Sequence, residues 1–218
     1  MMLRLVLAAV LAVTMGLAQA RKPHADGAPG QFDYYALSLS WSPSFCATHD
    51  DVKQCGAGRR LGFVLHGLWP QYERGFPQSC SSERLPPRVK DRYAGMFPSP
   101  SLISHEWPKH GTCSGLEPDA YFALTEKLKD SVVIPSAYQA PASPVRADSD
   151  ALARAFRAAN PAMPANAVLP FCGSGGRFLA EVRVCFSKAG AAQSCSTGEI
   201  KRSANSCRQG SFVLPNVR

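Results

Sequence analysis

The sequence predicts an α+β fold stabilised by disulfides. Segments with a strand pattern and segments with a helix pattern follow one another without a regular strand–helix alternation. No glycine-rich phosphate loop lies between them, and both observations favour α+β over a doubly wound sheet. All eight cysteines follow an N-terminal segment of export type. In an exported chain, an even number of cysteines indicates disulfides, formed in an oxidising compartment outside the cytoplasm.

The N-terminus has the pattern of a secretory signal. A basic start precedes the apolar run Leu5–Leu17, and the letters AQA at 18–20 fit a small-x-small cleavage site. We expect residues 1–20 to be removed, with an anchored N-terminus as the alternative. The apolar run is too short to span a membrane. The polar, proline- and glycine-containing segment 21–31 is expected to be a linker or loose N-terminal arm, and residues 32–218 form one domain.

The charge balance is strongly basic. The 218 residues carry 24 lysines and arginines against 16 acidic side chains, a net charge of +8. A field of this sign attracts polyanions such as nucleic acid, anionic glycans or membrane surfaces, although a basic surface without a specific partner is an equally ordinary outcome. With no oligomerisation signal in the sequence, we expect a monomer that is periplasmic or secreted and free of the membrane once the signal is removed.

Six segments have a recognisable secondary-structure pattern. Alternation or short apolar runs predict strands, and apolar residues at helical spacing predict helices. The predicted strands are Phe32–Trp41, Leu61–Leu65 and Arg177–Phe186, and the predicted helices are Pro87–Met96, Glu117–Asp130 and Asp148–Ala159. Pro70 and Gly75 mark the residues after the second strand as loop. A local disulfide is plausible around the polar loop between Cys46 and Cys55, in which His49 is expected at the surface.

The segment Ser104–Cys113, SHEWPKHGTC, concentrates side chains that carry chemistry. It comes close to the H-E-x-x-H string of zinc proteases, but His105 and His110 are five residues apart instead of four. On a helix this spacing places them about 140° apart, so they cannot share one metal ion. No C-x-x-C occurs and a third ligand is not obvious. A zinc hydrolase is therefore the weaker hypothesis, and we expect no metal or other cofactor.

The same segment suits metal-free acid–base chemistry better. On a helix, His105 neighbours Lys109, and Glu106 neighbours His110 in the same i, i+4 relation. A carboxylate beside a histidine raises its pKa and orients its ring. A histidine with an ammonium group can stabilise a phosphorane-like oxyanion. Because proline is tolerated early in a helix, Pro108 predicts that the segment forms the first one or two turns.

A third histidine can join this group. His66 follows the predicted strand Leu61–Leu65, Gly67 allows close approach of a backbone or ligand, and Trp69 offers a flat stacking face. Taken singly, each has an ordinary structural explanation, such as a buried histidine or a core tryptophan. The combination with SHEWPKHGTC is what predicts an active site.

Both segments resemble the active-site segments of the ribonuclease T2 family. They are GFVLHGLWPQ at Gly62–Gln71 and HEWPKHGTC at His105–Cys113, and the match is closest to the bacterial periplasmic branch, the ribonuclease I type. LSLSWSPSFC at Leu37–Cys46 and EVRVCF at Glu181–Phe186 are also similar to that branch, so the resemblance spans about Phe32–Cys207. It implies an α+β fold in which helices flank a central antiparallel sheet.

The resemblance implies metal-independent endonucleolytic cleavage of RNA. The ribose 2′-OH attacks the adjacent phosphorus, which leaves a 2′,3′-cyclic phosphate and a 5′-OH end. DNA lacks the 2′-OH and is excluded as a substrate, and single-stranded RNA is the expected partner. Plant members carry a glutamine where this chain has Ser40, before Trp41, so we infer no base preference and expect weak specificity. The alternative is a non-catalytic secreted module on the same fold that binds RNA or another polyanion.

The resemblance also implies a role for each site residue. By resemblance, His66 is the general acid and His110 is the general base. His105 binds the phosphate, and Glu106 and Lys109 polarise it. Trp69 contacts the sugar or the base.

The disulfide pairing likewise comes from the resemblance, because eight cysteines allow roughly a hundred pairings. The implied pairs are Cys46–Cys55, Cys80–Cys113, Cys172–Cys207 and Cys185–Cys195.

Overall fold

The computed structural model describes residues 27–217. The predicted signal, 1–20, and most of the predicted arm, 21–31, lie outside the described residues. In the part of the arm that is described, the Gly30 amide donates to the Cys113 carbonyl at 3.0 Å, and Lys188 Nζ donates to the Gly30 carbonyl at 3.0 Å. Within 27–217, none of the helices combines the length and apolar character needed to cross a membrane.

A six-stranded sheet forms the centre of the domain. Its strands are β1 (Tyr34–Trp41), β2 (Phe63–Gln71), β3 (Val145–Ala147), β4 (Val168–Gly173), β5 (Phe178–Phe186) and β6 (Phe212–Leu214). The hydrogen-bonded order is β2-β1-β5-β6-β3, with β4 also paired to β5. All pairs are antiparallel except β5 with β6, which is parallel. The α+β fold with a central antiparallel sheet is thus confirmed, and the sheet also contains one parallel pair, β5 with β6.

Helices flank this sheet. They are α1 (Ser42–Cys46), α2 (Val52–Cys55), α3 (Pro87–Tyr93), α4 (Pro100–Lys109), α5 (Pro118–Asp130), α6 (Ser149–Ala159) and α7 (Thr197–Ser206). The start of α6 is capped by Asp148, whose side chain accepts from the Ala151 amide at 2.7 Å. The start of α7 is capped by Ser196, which accepts from the Glu199 amide at 3.1 Å. Such caps satisfy amides that have no partner inside the helix.

The sheet has two differently covered faces. Alternate β1 residues Tyr35, Leu37 and Leu39 enter the main core, to which α4, α5 and α6 contribute their apolar sides. Tyr34 and Ala36 point to the other face, where they join a smaller buried cluster. Further along that second face the strands carry polar and charged residues, and the candidate active site is there.

Two predictions about elements were wrong. The second strand does not end at Leu65 but continues to Gln71, through Pro70. Proline is tolerated because β2 is the edge strand, where a missing donor need not break a ladder. The segment around His105 is not the start of a helix: α4 begins at Pro100, and Pro108 lies in its last turn. Pro108 has no amide to donate to the Ser104 carbonyl, and the helix ends one residue later, at Lys109.

Four disulfides stabilise the domain. They pair Cys46 with Cys55, Cys80 with Cys113, Cys172 with Cys207 and Cys185 with Cys195, which is the pairing implied by the family resemblance. The bond at Cys113 links the turn after α4 to the loop that follows β2. Beside it, the Ser79 amide donates to the Lys109 carbonyl at 2.9 Å. The end of α4 is therefore held to this loop both covalently and by a hydrogen bond.

Replacing both Cys80 and Cys113 with serine should destabilise the protein and loosen the end of α4. The bond closes a separation of 33 residues, so its loss should cost about 3–4 kcal/mol in the free energy of unfolding. The matched control replaces Cys172 and Cys207, whose separation is 35, and should cost about the same. Urea unfolding measures both. Only the first variant should speed hydrogen exchange at the His110 amide, and equal exchange in the two variants would contradict this account.

Candidate active site

A β-bulge presents His66. Ser38 of β1 pairs with Gly67, whereas the residue after Ser38 pairs with Leu65, so His66 is an additional residue in β2. Leu65 and Leu68 are both buried in the main core, although residues three apart on a regular strand point to opposite faces. The bulge resolves this conflict by placing both His66 and Gly67 between them on the second face.

The last turn of α4 brings Glu106 against this part of β2. Glu106 is 1% exposed, and its Oε2 accepts a hydrogen bond from Trp69 Nε1 at 2.8 Å. A Cβ atom at Gly67 would lie 1.9 Å from the same oxygen. Only glycine therefore leaves room for the carboxylate. Burial raises the pKa of Glu106 to about 7, against the opposing influence of His66 and the Trp69 hydrogen bond.

His110 also packs against Trp69. Its ring stacks on Trp69 with a centroid distance of 5.1 Å and an interplanar angle of 30°. Burial lowers the pKa of His110 to about 3, and the positive charges of Lys109, His105 and His66 act in the same direction. His110 is therefore neutral at neutral pH. Its buried Nδ1 has no hydrogen-bond partner among the described residues.

His66 has the opposite environment. Its Nδ1 lies 3.4 Å from Glu181 Oε2 and 3.3 Å from Ser40 Oγ, and its Nε2 lies 3.8 Å from Glu106 Oε1. Burial by itself would lower the pKa of His66. The hydrogen bond to Glu181 and the negative charges of Glu181 and Glu106 outweigh burial, so the pKa is raised. His66 is thus the histidine that favours the protonated form.

His105 and Lys109 occupy the more open side of the site. His105 is exposed, and burial together with the charges of Lys109 and His66 lowers its pKa. Lys109 is partly exposed, and within residues 27–217 no ion pair engages its ammonium group. Its positive charge is therefore free to interact with a bound anion. His105 is thus exposed, whereas His110 is buried.

Two charged residues of β5 complete the site and were missed as functional residues in the sequence. Glu181 is buried, and although burial opposes ionisation, His66 and Arg183 lower its pKa to about 2. Arg183 Nη2 lies 2.6 Å from Glu181 Oε1, and Nη1 lies 2.7 Å from Glu199 Oε1. The guanidinium also lies over the Trp69 ring, 4.9 Å from its centroid. The available signal was the pattern EVRV, which repeats charge inside an otherwise apolar strand.

In the described part of the chain, no group of three or more histidine, cysteine, aspartate or glutamate side chains is arranged to hold a metal ion.

Comparison with known proteins identifies the family of this chain. The model of the ribonuclease T2 family matches residues 32–195. A "Ribonuclease" of Aeromonas hydrophila is 43% identical over 215 residues, covering 89% of this chain and 90% of the relative. "Ribonuclease I" of Escherichia coli is 26% identical over 151 residues, covering 47% of this chain and 55% of the relative. The chain belongs to the ribonuclease T2 family, and its similarity to the bacterial ribonuclease I type is confirmed.

A solved structure shares the fold. The RNase-related protein from Calystegia sepium superposes with a TM-score of 0.66 at 21% identity, over 86% of this chain and 98% of that one.

Replacing Gly67 with alanine should lower ribonuclease activity by about 100-fold or more. The new methyl group would displace the Glu106 carboxylate and break its bond with Trp69, and removing one preorganised group of this kind typically costs that factor. The control is Gly95→Ala, since a Cβ atom at the exposed Gly95 meets nothing within 4 Å. Initial rates on RNA and melting temperatures measure both variants. A Gly67→Ala variant as active as the control would contradict the role of this contact.

Proposed function

We propose that this member of the ribonuclease T2 family, an endoribonuclease, cleaves single-stranded RNA by attack of the ribose 2′-OH, without a metal ion. The observation that carries the proposal is a pair of histidines that both contact Trp69 in opposite surroundings: His66 lies beside the carboxylates of Glu181 and Glu106, whereas His110 is buried without a carboxylate partner among the described residues. Burial lowers the pKa of His110 to about 3, whereas the carboxylates beside His66 raise the pKa of that ring. Two histidines whose pKa values differ in this way suit a base and an acid that act in the same step.

His110 is the general base in the proposed step. It takes the proton from the 2′-OH as the 2′-oxygen forms its bond to phosphorus. The bond from phosphorus to the 5′-oxygen breaks, and His66 gives its proton to that departing oxygen. The products are a 2′,3′-cyclic phosphate and a 5′-OH end. Water can later open the cyclic phosphate with the two histidines in exchanged roles, since each then holds the proton state that the reverse step needs.

The remaining groups stabilise the phosphorane-like transition state. The ammonium of Lys109, which has no ion pair within residues 27–217, and the exposed ring of His105 lie where a phosphate can reach them. Burial raises the pKa of Glu106 to about 7, so a sizeable fraction of this carboxyl is protonated at neutral pH and can act as a hydrogen-bond donor. Preorganised donors of this kind act where charge develops. Trp69 is oriented by Glu106 and provides a surface for the sugar or base.

The charge of the whole chain favours the same substrate. A net charge of +8 attracts RNA through its phosphates, independently of sequence. We therefore propose low base specificity and no cleavage of DNA, which lacks the attacking hydroxyl. A non-catalytic polyanion-binding module is not favoured, because every residue of the proposed catalytic set is present. The signal pattern at 1–20 and the four disulfides support an enzyme that is periplasmic or secreted. We also propose that it is a monomer, because the sequence contains no oligomerisation signal.

The oxidised mature protein, with a short labelled RNA in excess EDTA near pH 6, should leave 2′,3′-cyclic phosphate and 5′-OH ends. The same sequence as DNA should remain intact. His66→Ala and His110→Ala should each lower the rate about 10²–10⁴-fold. Mass spectrometry of the product ends checks the chemistry. Loss of activity in EDTA that returns with metal would refute the metal-free step, and RNA binding without any product would favour the binding module.

Replacing Glu181 with glutamine should move the alkaline limb of the pH–rate profile to lower pH. The acid His66 must be protonated, so the rate falls as pH rises through its pKa. That pKa is raised above 6.5 in part by the Glu181 charge, and removing the charge lowers it. The acid limb depends on His110 staying neutral, so its midpoint should remain at a pH far below the usual pKa of histidine. Profiles of kcat/KM from pH 3 to 9 measure both limbs.

The control for this variant is Glu126→Gln, which removes the same charge from an exposed position on α5. Its alkaline limb should stay in place. An unmoved limb in Glu181→Gln, or an equal shift in the control, would refute the coupling between Glu181 and His66.

A further inference from the structure

A network of ion pairs runs from the candidate site into α7. Its first pair lies within β5, where Glu181 Oε1 and Arg183 Nη2 are 2.6 Å apart. Arg183 Nη1 then donates to Glu199 Oε1 at 2.7 Å, and Glu199 Oε2 accepts from Arg202 Nη2. Acidic and basic groups alternate, so the two carboxylates and two guanidinium groups cancel in charge when all are ionised. The proposed mechanism assigns no role to Glu199 or Arg202.

The inward position of Glu199 is not explained by α7 alone. Its side chain is 0% exposed although it lies in the first turn of the helix. An acidic side chain in a first turn normally stabilises the helix N-terminus from the surface, and the Ser196 hydroxyl already caps α7. Burying a carboxylate is costly unless it is paired. The position of Glu199 therefore reflects its bonds to groups outside the first turn.

Three titratable or charged groups face the Glu199 carboxylate from three elements. They are Arg183 from β5, Arg202 from α7 and Tyr34 from β1, whose hydroxyl lies 3.1 Å from Ser196 Oγ. Only the two arginines are cations, and of these Arg183 leads back to the site. Arg202 is partly exposed, and it also donates to Gln71 Oε1 at 3.1 Å.

Glu199 determines how Arg183 meets Glu181. Arg183 Nε and Nη2 lie 2.7 and 2.6 Å from one oxygen, Glu181 Oε1, while Nη1 is engaged by Glu199. A guanidinium without a second partner can pair with both oxygens of one carboxylate. Here the other oxygen, Oε2, instead accepts from Ser38 Oγ at 2.8 Å and lies 3.4 Å from His66 Nδ1. Glu199 thus leaves Oε2 available to His66.

Glu199 also offsets the charge of Arg183. The charged and titratable groups around His66 come from β5, α4 and the residue after α4: Glu181, Arg183, Glu106, His105 and His110. The carboxylates among them raise the pKa of His66, whereas the Arg183 charge lowers it. An anion bonded to Arg183 weakens this lowering, because opposite charges close together cancel at a distance.

We infer that Glu199 is a positioning residue for the proposed general acid. It acts through Arg183, which it holds on Oε1 of Glu181 so that Oε2 keeps the His66 ring in place. The inference rests on the proposed function, in which His66 protonates the departing 5′-oxygen. It gives a part in the reaction to α7, which is not among the helices predicted from the sequence.

Replacing Glu199 with glutamine should lower the pH at which His66 titrates by about half a pH unit, because the Arg183 charge is no longer offset. NMR of the ring, assigned by comparison with His66→Ala, measures the titration midpoint. The alkaline limb of the kcat/KM profile should move to lower pH by the same amount. Glu199→Asp keeps the charge and should restore most of the wild-type midpoint.

Two control variants separate charge from packing of α7. Arg202→Gln removes the cation on the far side of Glu199, so the His66 midpoint should shift in the opposite direction, to higher pH. Because Arg202 is partly exposed, this variant tests the coupling even where Glu199→Gln fails to fold. Ser196→Ala removes the cap of α7 without changing any charge. It should lower the melting temperature and leave the midpoint in place.

Three results would overturn the inference: an unmoved His66 midpoint in folded Glu199→Gln, a lowered midpoint in Arg202→Gln, or an equal shift in Ser196→Ala. The proposed function has a separate test. If the midpoint moves in Glu199→Gln but the alkaline limb does not, His66 is not the acid, and the proposed function fails together with the inference. If the limb responds to Glu181→Gln but not to Glu199→Gln, only the inference fails.

Discussion

The buried contact between Glu106 and Trp69 is the constraint on which the site depends. Burying a carboxylate that is 1% exposed is costly. Here Oε2 accepts from the indole, whereas Oε1 has no hydrogen-bond partner among the described residues and lies 3.8 Å from His66 Nε2. This arrangement requires α4 to approach β2 closely, which is possible only beside Gly67. It also orients the indole on which His110 stacks. One helix–strand contact thus positions the groups on both sides of the proposed phosphate site.

Different electrostatic surroundings then give two chemically identical side chains, His66 and His110, different protonation states. His66 faces Glu181, a carboxylate that remains ionised because Arg183 neutralises it from the other side. His110 is buried among positive charges and has no carboxylate partner among the described residues. Their pKa values therefore move in opposite directions, and each histidine rests in the protonation state that its proposed role requires. Arg183 acts on His66 indirectly in this scheme. It helps to keep Glu181 ionised, and its guanidinium packs over the Trp69 ring.

Local sequence patterns predicted most of the elements but not how they continue. The strand of β5 and the helices α5 and α6 were located to within a residue or two, because each has a single consistent periodicity. The strand β2 was cut short because Pro70 is a breaker in isolation, and only the strand order reveals that β2 lies at an edge. The helix α4 was misplaced for a related reason, since proline is usually found in the first turn of a helix, whereas Pro108 lies in the last turn of α4.

The sequence by itself determined the α+β class, the disulfide-bonded character and the residue types of the acid–base site, since these follow from short-range periodicity, cysteine number and two contiguous motifs. Tertiary structure alone decided the β-bulge that turns His66 to the second face, the partnership of His66 with Glu181, and the opposite pKa shifts of His66 and His110. The physical reason is that burial and charge act through space. Residues 115 positions apart in the chain, such as His66 and Glu181, meet only when β1 brings β2 and β5 to its two sides.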